Sequence, residues 1–277
     1  MSETANAYLV DAPWLAAHLD DVLVVDCRFT GDRDSSLAAY LLGHIPTAVH
    51  SYWLDLCAED TRVMTLLPDR DRAIAALSEL GVGPRTLVVA YADNADLYAA
   101  RLWHLLRVLG HAGVRLLDGG LAAWTADGGA LETGEVLPRP ARFEPGAPLE
   151  AAIGVHELRD RLAGVRIVDT RSPEEFAGTQ VRAARGGHIP GAVLLPWNDL
   201  IDDAGRFLDP AEIRHRAVGA GLDPTAETVT YCQGGVRAAH AALALQLAGF
   251  EHVRVYDGSW AQWGNDPSSP IEVPAVT

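Results

Sequence analysis

Two textures alternate along the chain. Short apolar runs rich in β-branched residues recur as VLVVD at 22–26, TLVVAY at 86–91, VRLLD at 114–118, VRIVD at 165–169, TVTYC at 228–232 and VRVYD at 253–257. They lack the in–out alternation of a half-exposed strand, so they predict a parallel sheet covered on both faces. Between them lie longer Ala- and Leu-rich stretches. Arg72–Leu80, Leu97–Leu109 and Val236–Ala248 predict helices, each halting at a glycine (Gly81, Gly110, Gly249). The pattern predicts three-layer α/β architecture.

The same plan is written twice. VLVVDCR at 22–28 returns as VRIVDTR at 165–171, which sets Asp26 and Asp169 143 positions apart. GHIPTAV at 43–49 returns as GHIPGAV at 187–193, an offset of 144. Tyr91 answers Tyr231 at 140, and VRLLDGGLAAW at 114–124 answers VRVYDGSWAQW at 253–263 at 139. Four blocks in one order at a nearly constant offset are the mark of a duplicated domain. Between the copies, Glu132–Glu150 carries Pro138, Pro140, Pro145 and Pro148, which fix φ and remove donors, so an extended linker is expected. The expected organisation is an N-terminal domain at 1–135, a linker at 136–150 and a C-terminal domain at 151–277.

Composition narrows the partners. Lys and Arg number 22 against 37 Asp and Glu, a net charge of −15, and so acidic a chain repels phosphate backbones. Nucleic acid is not an expected partner. No apolar run approaches the roughly 20 residues that span a bilayer, so no membrane association is expected either. The opening MSETANAYLV lacks the basic region and apolar block of a signal peptide. Cys27, Cys57 and Cys232 are the only cysteines, too few and scattered for a disulfide framework or a Cys-x-x-Cys metal site. Cytoplasmic location and a free thiol are the expectation.

One thiol has a prepared setting. In Tyr231-Cys232-Gln233-Gly234-Gly235-Val236-Arg237 a predicted strand ends at the cysteine and a predicted helix starts at about Val236. Backbone N–H groups and the positive end of a helix dipole then face the sulfur. Gly234 and Gly235 let the backbone curl around it, Arg237 adds a fixed positive charge, and an anionic sulfur is favoured. Cys27, within a strand pattern and followed by no glycine, reads as packing, as does Cys57. His44 and His188, each before Ile-Pro, read as turn-holding residues. Trp124, Trp260 and Trp263 read as helix-face packing, with Trp260 also placed to line a substrate cleft. Asp26 and Asp169 read as loop-fixing carboxylates.

These residues resemble the rhodanese family of sulfurtransferases. The resemblance rests on HIPTA and HIPGA, on LLDGGLAAW and VYDGSWAQW, and on the Cys232–Arg237 loop, and it covers nearly the whole chain. It implies two tandem rhodanese-like domains, each a parallel sheet flanked by helices. The first would be catalytically inactive, since matching Tyr91 to Tyr231 puts Ala92 where Cys232 stands. The second would carry the loop at the mouth of a cleft between domains. It further implies that Cys232 takes a sulfane sulfur from thiosulfate or 3-mercaptopyruvate, becomes a persulfide, and yields that sulfur to cyanide or to a thiol such as thioredoxin or glutathione. Gln233, Gly234, Gly235, Val236 and Arg237 would bind the persulfide or anion, with no metal and no organic cofactor required.

Four residues separate Cys232 from Arg237, whereas related cysteine phosphatases of the same architecture use five, so phosphatase or arsenate reductase chemistry is a lesser rival. The mercaptopyruvate pattern, Cys-Gly-Ser/Thr-Gly-Val-Thr, has a hydroxyl that this loop lacks. Glu175 stands where that pattern has a carboxylate-binding arginine, and a glutamate is expected to repel a carboxylate donor. Thiosulfate is therefore the expected donor, 3-mercaptopyruvate the alternative, with Arg182 and Arg185 as candidate donor-binding cations. A non-catalytic persulfide carrier or redox sensor would need the same loop.

Overall fold

The protein is described by a computed structural model covering residues 7–59, 63, 65–93 and 95–273. The chain gathers into two compact units, one comprising Met1–Ala58, Leu67–Leu149 and Ile201–Phe207, the other Glu59–Leu66, Glu150–Leu200 and Leu208–Thr277.

The first unit holds β1 (Leu9–Val10), β2 (Leu23–Asp26), β3 (Val49–His50), β4 (Val88–Tyr91) and β5 (Val114–Leu117). They form one parallel sheet in the order β1-β5-β4-β2-β3. The second holds β6 (Ala152–Ile153), β7 (Arg166–Asp169), β8 (Val193–Leu194), β9 (Thr228–Tyr231) and β10 (Val253–Tyr256), again parallel, in the order β6-β10-β9-β7-β8. The two sheets are the same sheet built twice. The six apolar runs supply the six four-residue strands, and the two-residue edge strands complete each sheet.

Helices Arg70–Glu79, Leu97–Val108 and Val236–Leu247 occupy the Ala- and Leu-rich stretches. Gly110 and Gly249, just past two of them, take φ of 75° and 79°, the left-handed turn that ends a helix without a Cβ clash. Each core is closed by aromatic side chains. Trp124 and Tyr91 are buried in the first unit, and Trp260, Trp263, Tyr231 and Tyr256 in the second.

A buried polar knot sits at the end of the second strand of each sheet. Asp26 accepts from Arg28 Nε and Nη2 at 2.9 and 2.6 Å and from the Tyr91 hydroxyl at 2.7 Å. Asp169 does the same with Arg171 at 3.0 and 2.6 Å and with Tyr231 at 2.6 Å. Both aspartates are fully buried, and so deep a carboxylate persists because every oxygen is paired. Burial next to these aspartates pushes the tyrosine hydroxyls well above their ordinary range, so they serve as donors. His44 bonds the carbonyls of Ile45 and Gly134, and His188 stacks on Phe176 while bonding its carbonyl.

The proline-rich stretch after Glu132 is extended yet tied down along its length. Val136 N–H meets the Tyr40 hydroxyl at 2.9 Å, Ala141 N–H the Ser78 carbonyl at 2.9 Å, and Phe143 is buried. It is a strap on the first unit as far as Leu149.

Candidate active site

Strand β9 delivers Cys232 at its C-terminal end, and the helix Val236–Leu247 opens four residues later. Gly235 precedes that helix with φ of 83°, a left-handed turn that bends the backbone around the sulfur and that other residues adopt only at a cost. Gly234 lies against Thr65, from the stretch Glu59–Leu66 of the same unit. A Cβ on Gly234 would sit 2.7 Å from the threonine oxygen, so the position has no room for a side chain. Cys232 itself is buried.

A short helix, Ser259–Trp263, fixes the loop from the side. Its Trp260 N–H donates to the Cys232 carbonyl at 2.9 Å and its Ala261 N–H to the Gln233 carbonyl at 2.8 Å. The Ser259 hydroxyl accepts from the Cys232 N–H at 3.1 Å. Gln233 reaches outward, and its side-chain amide donates to the Arg182 carbonyl at 3.0 Å.

Arg237 lies one residue into the helix, largely buried, and two groups share its charge. Its Nη1 and Nη2 donate to the Glu175 carboxylate at 2.7 and 3.0 Å, and it interacts with the Cys232 sulfur. Burial works against the cation, but these two acceptors overcome it and hold the guanidinium above its ordinary range. Glu175 is 2% exposed, and burial there opposes ionisation. The Arg237 hydrogen bonds, helped by the Ser172 amide and by Arg182, more than offset that and keep the carboxyl below its usual range. Ser172 and Glu175 also close a reciprocal capping box on the helix Pro173–Phe176, so the glutamate is locked from both sides.

This geometry revises the role read for Glu175. Its carboxylate is met by Arg237 and Arg182, so it does not present to a donor the repelling charge expected of it. Arg182 stays about half exposed with its Nε 3.7 Å from Glu175, which makes it a cation at the rim of the site. Arg185 is used differently. Its guanidinium donates to the carbonyls of Trp263, Gly264, Asp266 and Ser269, and so braces the segment after the last helix instead of swinging toward a donor. Trp260 belongs to the core. It is 1% exposed, its indole N–H donates to the Arg185 carbonyl, and the Arg171 guanidinium covers its ring at 4.6 Å. Cys27 and Cys57 are buried, and burial beside Asp26 and Asp96 pushes the Cys27 thiol well up. Sequence reasoning missed Ser259, although its signal was present in the repeat, where DGS at 257–259 answers DGG at 118–120.

The first unit lacks this chemistry. Ala92 follows β4, and the carboxyl of Asp96 accepts its N–H at 2.7 Å. The position matching Arg237 is Tyr98, which packs with Phe29 and Trp53 at centroid distances of 5.0 and 5.4 Å.

Comparison with known proteins agrees with the duplicated plan. The rhodanese-like domain model matches twice, at residues 11–127 and 154–266. A probable 3-mercaptopyruvate sulfurtransferase of Pseudomonas aeruginosa is 39% identical, over 96% of this chain and 98% of its own length. A thiosulfate sulfurtransferase of Corynebacterium glutamicum is 36% identical over 95% of this chain and 90% of its own. Among solved structures, the anaerobic ergothioneine biosynthesis enzyme from Chlorobium limicola, in complex with trimethyl histidine, superposes with a TM-score of 0.87 at 27% identity. The match covers 97% of this chain and 71% of that one. Two matched domains and full-length relatives that share the plan make this chain a member of the rhodanese family of sulfurtransferases.

Proposed function

We propose that the protein transfers the outer sulfur of thiosulfate to cyanide or a thiol through a persulfide on Cys232. The Cys232 thiolate attacks the sulfane sulfur, the S–S bond of the donor breaks, and sulfite leaves with the bonding electron pair. The acceptor then attacks the outer persulfide sulfur, and Cys232 departs as a thiolate, giving thiocyanate when the acceptor is cyanide. Splitting the transfer at a covalent intermediate predicts ping-pong kinetics. Arg237 and the loop amides stabilise the anionic sulfur, much as an oxyanion hole stabilises oxygen.

The observation that carries this reading is the four-residue loop from Cys232 to Arg237, with a guanidinium that interacts with the sulfur. Thiosulfate is favoured because the loop offers amides for a compact dianion and its own residues, Gln233 to Val236, carry no hydroxyl. The P. aeruginosa relative named for 3-mercaptopyruvate and the half-exposed Arg182 support that donor as the second reading.

Steady-state kcat/KM for the two donors, with cyanide as acceptor, is the deciding experiment, and thiosulfate is expected to be higher. A tenfold preference for 3-mercaptopyruvate would reverse the donor assignment. A single sulfur loaded on Cys232 without turnover would indicate a carrier instead.

A further inference from the structure

The two copies face one identical local problem and solve it in mutually exclusive ways. Each central strand, β4 or β9, is followed by a residue whose buried N–H must find an acceptor, because an unmet buried donor is costly. In the first unit that residue is Ala92, and the acceptor comes from inside the loop. Asp96, 1% exposed and left-handed at φ 58°, turns its carboxyl inward onto the Ala92 N–H and bonds the Gly119 N–H as well. The Ala92 amide is met by the protein's own acid. At Gly120 a Cβ would run into the Ala92 carbonyl oxygen, so this turn has no room for the side chain that its counterpart carries.

In the second unit the residue matching Gly120 is Ser259. It is fully buried and keeps the left-handed φ, 48°, although it is not glycine. A side chain in that region is strained, and strain persists where the surroundings impose it. Here the serine hydroxyl is fixed at both ends, donating to the Tyr256 carbonyl at 2.9 Å and accepting from the Cys232 N–H at 3.1 Å. The Cys232 amide is thus satisfied from outside the loop. Among the described residues no carboxylate is bonded to the Cys232 N–H, and the loop also closes one residue shorter, with four residues between β9 and its helix against five between β4 and its own.

We propose that Ser259 is the positioning residue that makes the Cys232 loop an anion cradle: it takes up the Cys232 amide from the neighbouring turn, so that the loop interior is left to the sulfur. Ser259 touches no reacting atom in this scheme. It acts by holding the Cys232 backbone, together with the Trp260 and Ala261 amides that pin the two loop carbonyls. The inference rests on the sulfur-transfer reading of Cys232.

The test uses the full chain with Ser259→Gly and Ser259→Ala. Glycine is what the first unit carries at this position, so the turn tolerates it. Loss of the hydroxyl and relief of the left-handed strain oppose each other, and melting temperature should fall by less than about 5 °C. The single-turnover rate of sulfur loading from thiosulfate at 25 °C, read by intact mass, should fall about tenfold or more in both variants. Alkylation of Cys232 by iodoacetamide at pH 7.5 should slow about fivefold. A hydroxyl that merely stabilised the turn would lower the melting temperature and leave both rates of the folded protein at wild type. Loading and alkylation within twofold of wild type in Ser259→Gly therefore overturn the proposal, whatever the melting temperature. If the wild type takes no sulfur from either donor, the transfer reading fails separately, and the alkylation rates still decide the role of Ser259.

Discussion

Glu175 grips Arg237 with two hydrogen bonds, of 2.7 and 3.0 Å, from a position almost wholly out of water. The pair therefore couples the stability of the second unit to the charge available at Cys232. A carboxylate held below its usual range contributes stability that is fully present above its unfolded value, near 4.3, and is lost as pH falls through its folded value. The denaturation midpoint of wild type minus that of Glu175→Gln should thus be constant from pH 8 to about pH 5 and shrink below it. A gap that does not change down to pH 3 would show that the pair carries no such linkage. Breaking the pair outright with Glu175→Ala should cost about 3 kcal/mol at pH 7, since an arginine is left largely buried without its carboxylate.

Only one cysteine should accept sulfur. Wild type treated with thiosulfate is expected to gain one sulfur by intact mass, and Cys232→Ser none. Cys27→Ser and Cys57→Ser should keep turnover within a few-fold, because neither thiol is followed by a glycine-rich loop and a helix-borne arginine. Sulfur persisting in Cys232→Ser would refute the assignment.

Arg182 and Arg185 should separate cleanly by phenotype. Arg182 is half exposed at the rim, so Arg182→Ala should change stability by less than about 0.5 kcal/mol while raising the donor KM several-fold. Arg185 serves four carbonyls, and Arg185→Ala should cost about 2–3 kcal/mol. Its kcat measured below the melting transition should stay near wild type. Urea titration and steady-state kinetics on the two variants check both halves of this statement, and an inverted pattern would exchange their roles.

The aspartates that end β2 and β7 should be equivalent. Asp26→Asn and Asp169→Asn each leave a buried arginine short of its partner, at a cost of about 3–5 kcal/mol. Calorimetry of the two variants should show similar losses, each confined to the unit that carries the change.

Much of this architecture was legible because the chain states it twice. VLVVD and VRIVD, TLVVAY and TVTYC, VRLLD and VRVYD all became four-residue strands, since short β-branched runs between helices leave little else to form. The edge strands Leu9–Val10 and Ala152–Ile153 were not legible, because two residues carry no periodicity and their pairing is decided by neighbours far along the chain. At the site, the Cys232 loop could be read from its glycines and arginine. The partner of Arg237 could not, because Glu175 lies 62 positions away and nothing local marks it as an acceptor. Arg185 was misplaced for a related reason, and Trp260, read as packing, was also given a cleft role that its burial removes. A tryptophan after a turn and an arginine in a loop look alike on the page whether they face substrate or backbone, and only packing tells them apart.

The paired polar knots, Asp26–Arg28–Tyr91 and Asp169–Arg171–Tyr231, have a consequence for interpreting any variant of this protein. The same scaffold is present in one molecule with a thiol above it and again with an alanine above it. Each molecule thus contains its own reference state. A change introduced at matching positions reports through folding alone in one copy, and through folding together with reactivity in the other. The difference between the two isolates the chemical contribution without recourse to a second protein.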